Sequence, residues 1–190
     1  MTLQLAQEPD ADALLNRDPF AVAVGMLLDQ QYGMEHAFRG PWKLATRMGT
    51  ETLDLHAIAE ADPVAFADLC STPPAIHRYA RSMAGRVQGM AQHVLDHYDG
   101  DITQLWLTAK TGAELHDRLA AIPGWGDMKA KIFTALLAKQ LDIAPKGWKA
   151  AAGDYGLKGR RSVADVTDQT TLLEVRAYKQ EKKAAAKAAG

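Results

Sequence analysis

The chain has 190 residues, of which 47% are hydrophobic and 24% are charged. This is enough for one substantial core, and no run approaches the roughly 20 apolar residues that span a bilayer. The N-terminus lacks the basic and apolar segments of a signal peptide, so we expect a cytoplasmic protein. Cys70 is the only cysteine, which excludes an internal disulfide and a cysteine-built zinc or iron–sulfur site. We expect no metal and no other cofactor.

The formal net charge of −1 is unevenly distributed. Residues 1–138 carry 11 Lys and Arg against 17 Asp and Glu, whereas residues 139–190 carry 11 against 6. The near-neutral total argues against a protein that binds DNA by charge alone. The basic C-terminal part could face phosphates, and the alternative is a solvated basic tail.

Apolar residues recur at three- and four-residue spacing along nearly the whole chain, which predicts an all-α fold. The first long helix is predicted from about Pro19 to Arg39, with Asp18 as its N-cap and Gly33 and Gly40-Pro41 near its end. Further helices are predicted at about residues 52–61, 63–69, 76–98, 102–106, 112–121, 127–141 and 168–183. Residues 145–161 predict a loop with short helical pieces. The Lys- and Ala-rich end is expected to fray.

Residues 119–130 are the most informative segment, because two predicted helices meet there at a turn of Pro123, Gly124, Trp125 and Gly126. The two glycines can adopt backbone angles that are closed to other residues. The N–H groups that open the second helix then point outward, at the positive end of the helix dipole. The segment therefore predicts a phosphate-binding turn, with Lys129 and Lys131 as mobile cations beyond it. The alternative is an ordinary tight connection between packed helices.

Three segments resemble, in the same order, parts of the helix–hairpin–helix DNA glycosylase superfamily, which contains endonuclease III, the A/G-mismatch adenine glycosylases and 8-oxoguanine glycosylase. Residues 122–126, Ile-Pro-Gly-Trp-Gly, stand where that family has its Leu-Pro-Gly-Val-Gly hairpin. Residues 82–102 resemble the long helix and turn before the hairpin. Residues 27–31, Leu-Leu-Asp-Gln-Gln, resemble the segment whose glutamine enters the space left by an extruded base. The resemblance covers roughly residues 14–148.

The resemblance implies a two-lobed helical domain over residues 1–167, with its hairpin at 115–139, and a C-terminal helix and basic tail over residues 168–190. It also implies a nucleoid-associated monomer that grips duplex DNA by its phosphates and takes a nucleotide out of the stack. Extrusion costs a few kcal/mol, part of which Gln31 would offset by filling the vacated position. The predicted DNA contacts are Gln30, Gln31, Pro123, Gly124, Trp125, Gly126, Lys129, Lys131 and Lys149. For Trp125, packing between the hairpin helices is the alternative.

The residues that carry the family's chemistry are different here. Bifunctional members have a lysine two residues past the last hairpin glycine, where this chain has Met128. Lys129 comes one place later, about a hundred degrees around the helix. The family's aspartate position, counted from the hairpin without a gap, holds Lys146. A cation there would repel the positive charge that develops on the sugar as the base leaves.

The candidates for a replacement carboxylate are therefore Asp29, Asp142 and Asp154. Asp29 is the first to test, because it adjoins Gln30 and Gln31. Its alternative role is that of a solvated or capping residue. Lys146 is either a nucleophile that forms a Schiff base with an abasic sugar or a phosphate contact.

Three functions remain open at this point. The leading hypothesis is a glycosylase of damaged or modified bases that uses a non-standard carboxylate. The second is a non-catalytic protein that recognises DNA damage or structure, having kept the hairpin and lost the chemistry. The third is a helical scaffold whose hairpin serves protein contact.

Overall fold

The computed structural model describes residues 2–188, which form α-helices and short 3₁₀ segments without a β-strand. The all-α prediction is confirmed. In chain order the helices are α1 (Pro9–Arg17), α2 (Pro19–Leu28), α3 (Met34–Met48), α4 (Leu55–Glu60), α5 (Pro63–Ser71), α6 (Ala80–Tyr98), α7 (Thr103–Leu107), α8 (Gly112–Ala120), α9 (Asp127–Gln140), α10 (Trp148–Ala152) and α11 (Gln169–Ala188). Two 3₁₀ segments, Gly153–Gly156 and Val163–Asp165, lie between α10 and α11.

Asp18 starts α2 as the sequence predicts. One carboxylate oxygen accepts hydrogen bonds from the N–H groups of Phe20 and Ala21, at 2.9 and 3.1 Å. The other accepts from the N–H of Leu53 at 2.7 Å. The capping side chain therefore also ties the α3–α4 connection to the start of α2.

The single long helix predicted over residues 19–39 is wrong: it is two helices, joined by residues 29–33. The predicted stop signal at Gly40-Pro41 lies inside α3. A side chain at Gly40 would come within 2.4 Å of Leu28, so the glycine lets α3 lie close to α2. This packing offsets the hydrogen bond that Pro41 cannot donate, and it overrides the local sequence signal.

The N-terminal segment, residues 2–7, has no helix but belongs to the core. Leu3 and Leu5 are buried. The Arg39 guanidinium donates to the carbonyl oxygens of Ala6 and Gln7, at 2.8 and 3.1 Å. Neither this docking nor α1 is predicted from the sequence pattern.

Helix α2 lies at the centre of the molecule, since every residue from Phe20 to Leu28 is buried. Helices α3, α6 and α9 pack against it. A helix that is apolar all round needs such cover on every side. As a result, the C-terminal end of α2 brings residues 29–33 next to the turn between α8 and α9.

Helix α11 runs to Ala188, beyond the predicted end at residue 183. Fraying of this end stays a prediction. Its buried residues, Thr171, Leu172 and Val175, all lie in its first two turns. The last two residues of the tail, 189–190, lie outside the described part of the chain. Within residues 2–188, no helix combines the length and apolar character that crossing a membrane requires.

Candidate nucleic-acid interface

The turn between α8 and α9 is open to solvent at its glycines. Gly124 and Gly126 both have positive φ, 82° and 80°. Gly126, with ψ of 178°, occupies a region of backbone space that is nearly restricted to glycine. A Cβ at Gly126 would meet no heavy atom within 4 Å. The space beside this residue can therefore admit a ligand.

The turn also presents unused hydrogen-bond donors. In the described chain, the N–H groups of Gly124, Gly126, Asp127 and Met128 take part in none of the protein's hydrogen bonds. All four residues are exposed, and the last two open α9. These donors lie at the positive end of the helix dipole, so the turn is suited to bind an anion.

Trp125 supports the turn from beneath. Its side chain is buried and packs edge-to-face on Phe133, with ring centroids 5.0 Å apart. This corrects the assignment of Trp125 to the DNA contacts, because a buried indole cannot stack on a base. The alternative, packing within the hairpin, is what the structure has.

Lys129 is not the mobile cation that the sequence predicts. Its residue is 8% exposed, and its Nζ donates to the carbonyl oxygens of Met26 and Leu27, at 3.2 and 2.7 Å. These carbonyls belong to the last turn of α2, which has no intrahelical donors for them. Burial lowers the pKa of Lys129 to about 8, Asp29 opposes this change, and Arg86 adds to it. Lys129 therefore ties the first turn of α9 to the end of α2.

Lys131 is also engaged within the protein. Asp127 is the first residue of α9 and not its N-cap, which is Gly126. The Asp127 carboxylate accepts from Lys131 Nζ at 2.9 Å and faces His116 Nε2 at 3.1 Å. Lys131 and His116 hold the pKa of Asp127 below its ordinary value. An incoming phosphate would have to compete with this carboxylate for the same cations.

Residues 29–33, which connect α2 to α3, are held beside the turn by Arg86. Its Nη1 donates to the side-chain oxygen of Gln30 at 2.9 Å. Its Cδ would lie 3.3 Å from a Cβ at Gly124. Gln31 is exposed and has a φ of 53°. The two glutamines are held differently: Gln30 is anchored, whereas Gln31 is exposed at a strained position and its side-chain oxygen accepts a long hydrogen bond from Arg78, at 3.4 Å.

His77 anchors the same connection, and the sequence analysis did not identify it. Its Nε2 donates to the Gln30 carbonyl at 3.0 Å, and its Nδ1 accepts from the Tyr79 N–H at 3.0 Å. The two bonds fix a neutral tautomer. Burial lowers the pKa of His77. The ring also lies 4.6 Å from that of Tyr32, so it supports the connection on two sides.

Two carboxylates lie at this connection. Asp29 is the C-cap of α2; its side chain is 10% exposed, with Oδ2 3.8 Å from Lys179 Nζ. Glu35 is buried and pairs with Arg176. Within the described chain, its Oε2 has no hydrogen-bond partner. Glu35 is not among the site residues predicted from the sequence, because its burial depends on the start of α3 at Met34, which the sequence pattern places inside a longer helix.

Two clefts border the connection. One of about 620 Å³ is lined by Gln31, Tyr32, Gly33, Arg78 and Lys183. The other, of about 320 Å³, is lined by Asp29, Tyr32, Gly33, Met34, Arg176, Lys179 and Gln180. Helix α11 therefore forms one wall of both. In residues 2–188, no cluster of three or more His, Cys, Asp or Glu is placed to hold a metal ion.

The other candidate residues make no hydrogen bond or ion pair with residues 29–33 in the described structure. Lys146 is exposed, and its carbonyl accepts from the N–H of Gly112 at 2.8 Å. Gly112 opens α8, which at 1.5 Å per residue places it about 13 Å from the turn. Asp142 follows the C-terminal end of α9, at the opposite end of that helix from the turn, and is exposed. Asp154 is exposed after α10, and Lys149 lies over the Trp148 ring at 5.8 Å. Asp29 is thus the only predicted carboxylate that the described structure places beside Gln30 and Gln31.

A model of the HhH-GPD superfamily of base excision DNA repair proteins matches residues 24–189, which is most of the chain. The chain belongs to this superfamily. The predicted resemblance is therefore confirmed, as is the broad assignment to DNA-binding proteins of base excision repair. Searches among curated proteins and among solved structures gave no significant match.

Proposed function

We propose that this HhH-GPD protein binds duplex DNA, extrudes a damaged or modified base, and cleaves its N-glycosidic bond with Asp29 as the catalytic carboxylate. One observation carries the proposal. Asp29 follows α2 directly before Gln30 and Gln31, and Lys129 ties this end of α2 to the first turn of α9. The groups that would hold the phosphate, fill the stack and stabilise the positive charge on the sugar therefore meet at one place.

Binding would begin at the turn between α8 and α9. The free N–H groups of Gly124, Gly126, Asp127 and Met128 would donate to phosphate oxygens, as helix N-termini commonly do. Such contacts fix the position of the duplex without reading its sequence. Gln31, exposed beside the turn, would then enter the position that the extruded base leaves.

The chemical role of Asp29 would be electrostatic. When the bond between the sugar C1′ and the base nitrogen breaks, the electron pair leaves with the base and positive charge develops on the sugar. A carboxylate that is largely withdrawn from water stabilises this charge more strongly than one in bulk solvent. The oxygen of a water molecule then bonds to C1′, one of its protons passes to the departed base, and the abasic sugar and the free base remain.

A second function is supported by a different observation. Lys146 stands at the family's aspartate position, and Lys179 lies 3.8 Å from Asp29, where it offsets part of the carboxylate's charge. Both facts favour a protein that recognises DNA damage or structure without cutting the glycosidic bond. Tight, salt-dependent binding without base release would identify this function.

The test compares duplexes that contain uracil, alkylated, oxidised and abasic sites. Asp29→Asn should abolish base release while duplex affinity stays within about threefold, because the amide keeps the shape and loses the charge. Asp154→Asn is the matched control, because the Asp154 carboxylate is exposed and makes no hydrogen bond within the described chain. This variant should release base at the wild-type rate. Base release that survives in Asp29→Asn would refute the assignment. The scaffold hypothesis holds if the wild-type protein does not bind DNA and Gly126→Val leaves whatever activity the protein has unchanged.

Reductive trapping tests Lys146 separately. Borohydride would link a Schiff-base lysine covalently to an abasic duplex. We expect no adduct through Lys146, because it lies at the far end of α8 from the turn. An adduct that disappears in Lys146→Ala would contradict this expectation and restore Lys146 as a nucleophile.

A further inference from the structure

The second part of α11 is held differently from the first. Thr171, Leu172 and Val175 anchor the first part in the core. Residues 176–188, here called distal α11, are exposed or half-buried throughout. Distal α11 therefore stays in place without the apolar burial that fixes the other helices.

The charge of distal α11 is strongly positive. It carries Arg176, Lys179, Lys182, Lys183 and Lys187, against Glu181 alone. Positions 176, 179 and 183 are three and four residues apart, so they share one face of the helix. This face is directed at the α2–α3 connection.

This face contacts Asp29 and borders Gln31, two residues that the proposed function needs, and it also pairs with Glu35. Arg176 pairs with Glu35, and Lys179 lies 3.8 Å from Asp29. Lys183 borders the larger cleft together with Gln31. Distal α11 thus covers the proposed catalytic carboxylate and reaches the proposed wedge.

The cations of these contacts can be exchanged. The side chains of Arg176 and Lys179 are 40% and 41% exposed, so water, salt and other anions compete with the carboxylates for them. The Glu35 pairing is also incomplete, since Oε2 has no partner within the described chain. A duplex seated at the turn between α8 and α9 would bring many phosphates to the same lysines.

Resting on the proposed function, we propose that distal α11 is a cover over Asp29 and Gln31 that duplex DNA displaces. In the free protein its cations pair with Asp29 and Glu35. On binding, Lys179 and Lys183 pass to the phosphate backbone beside the extruded nucleotide, and the cleft opens. The partner that drives the exchange is the polyanionic backbone of double-stranded DNA.

Distance measurements between two spin labels test the movement in the full chain. Val64→Cys and Ala184→Cys place one label on α5 and one on distal α11, both at exposed positions. Cys70 should not react, because it is buried and desolvation raises the pKa of its thiol to about 12. Saturation with a duplex that carries a non-cleavable abasic analogue should shift the distance distribution to a new maximum. A distribution that is unchanged at saturation would overturn the proposal.

The transfer of cations is tested by the salt dependence of duplex binding. A plot of log affinity against log salt has a negative slope, and Lys179→Ala/Lys183→Ala should make it less steep by about 0.9 for each lost phosphate contact. Lys182→Ala is the matched control: it removes one charge from the same helix, but Lys182 lies over the Tyr178 ring and lines neither cleft. For this variant the slope should become less steep by less than half of the change expected for one phosphate contact. An unchanged slope in the double variant refutes the transfer, whereas wild type that binds no DNA refutes the proposed function itself.

Discussion

The two ends of α9 differ in how their charged residues are used. At the first turn, Lys129 is buried against the α2 carbonyls and the Asp127 carboxylate is bound by Lys131. At the far end, Asp142 and Lys146 are exposed. The first turn follows the glycine-rich segment that resembles the family's hairpin, and the far end leads to Lys146, where the resemblance implies an aspartate. A phosphate-binding turn made of backbone N–H groups tolerates changes of side chain, whereas catalysis depends on one carboxylate at one place.

The largest expected effect separates Lys129 from Lys131. Lys129→Ala should lower the free energy of unfolding by about 2–4 kcal/mol, because it removes two hydrogen bonds and leaves a cavity between α2 and α9. Lys131→Ala removes an exposed pair two residues away and should cost less than about 0.5 kcal/mol. Urea denaturation measures both variants. Equal losses would contradict the structural role of Lys129.

The alkaline pH dependence should sharpen the same contrast. The pKa of Lys129 is about 8 in the folded protein, against an ordinary value of 10.5. Between these values the unfolded chain binds more protons, so stability should rise with pH, by up to about 1.4 kcal/mol per pH unit. Subtracting the unfolding free energy of Lys129→Met from that of wild type removes the other titrating groups. A difference that stays flat from pH 8 to 10.5 would show that Lys129 is not desolvated.

Substitution at the turn should reduce DNA affinity without an equal effect elsewhere. Gly126→Ala should weaken binding about tenfold, or about 1.4 kcal/mol, on every duplex sequence, because a methyl group would enter the space of the phosphate. Gly49→Ala controls for the loss of a glycine at positive φ with open space around it, although Gly49 lies in the left-handed region and Gly126 in a narrower one. It should lose stability and keep its affinity. If both variants lose affinity equally, the turn is not the phosphate-binding element.

The smallest effect is expected at the far end of α9. Lys146→Ala and Lys149→Ala should each reduce affinity by less than about threefold, equally on all sequences, since phosphate contacts carry no sequence information. Fluorescence anisotropy at several salt concentrations would measure this. A loss at one lesion only would instead place these lysines at the recognised base.

Much of the fold is predictable from the sequence because helix signals are local. The Asp18 cap and the Gly-rich turn each depend on a few neighbouring residues. The break at residues 29–33 is different, because it depends on how α3 packs over α2 at Gly40. Such contacts join residues that the sequence pattern treats separately, so Pro41 was misinterpreted as a helix end.

The site was predicted in part. The motif of residues 27–31 predicted that the α2–α3 connection belongs to the candidate site, and the structure places this connection beside the turn whose glycines were found from their spacing. The role of Gln31 in DNA stays a prediction. The burial of Lys129 was missed, although position 129 precedes Ile132 and Phe133 by three and four residues and so lies on the buried face of α9. The cover formed by α11 could not be predicted, because pairs such as Lys179 and Asp29 are distant in sequence and lack an apolar pattern.

The docking of residues 2–7 has a practical consequence for shortened versions of the protein. The family match begins at residue 24, so a fragment trimmed to the matched region would lose Leu3, Leu5 and the whole of α1. The apolar surface that Leu3, Leu5 and α1 cover would become exposed to solvent, and Arg39 would lose both of its carbonyl acceptors. Such a fragment should self-associate, so recombinant work on this protein needs the segment that the family signature omits.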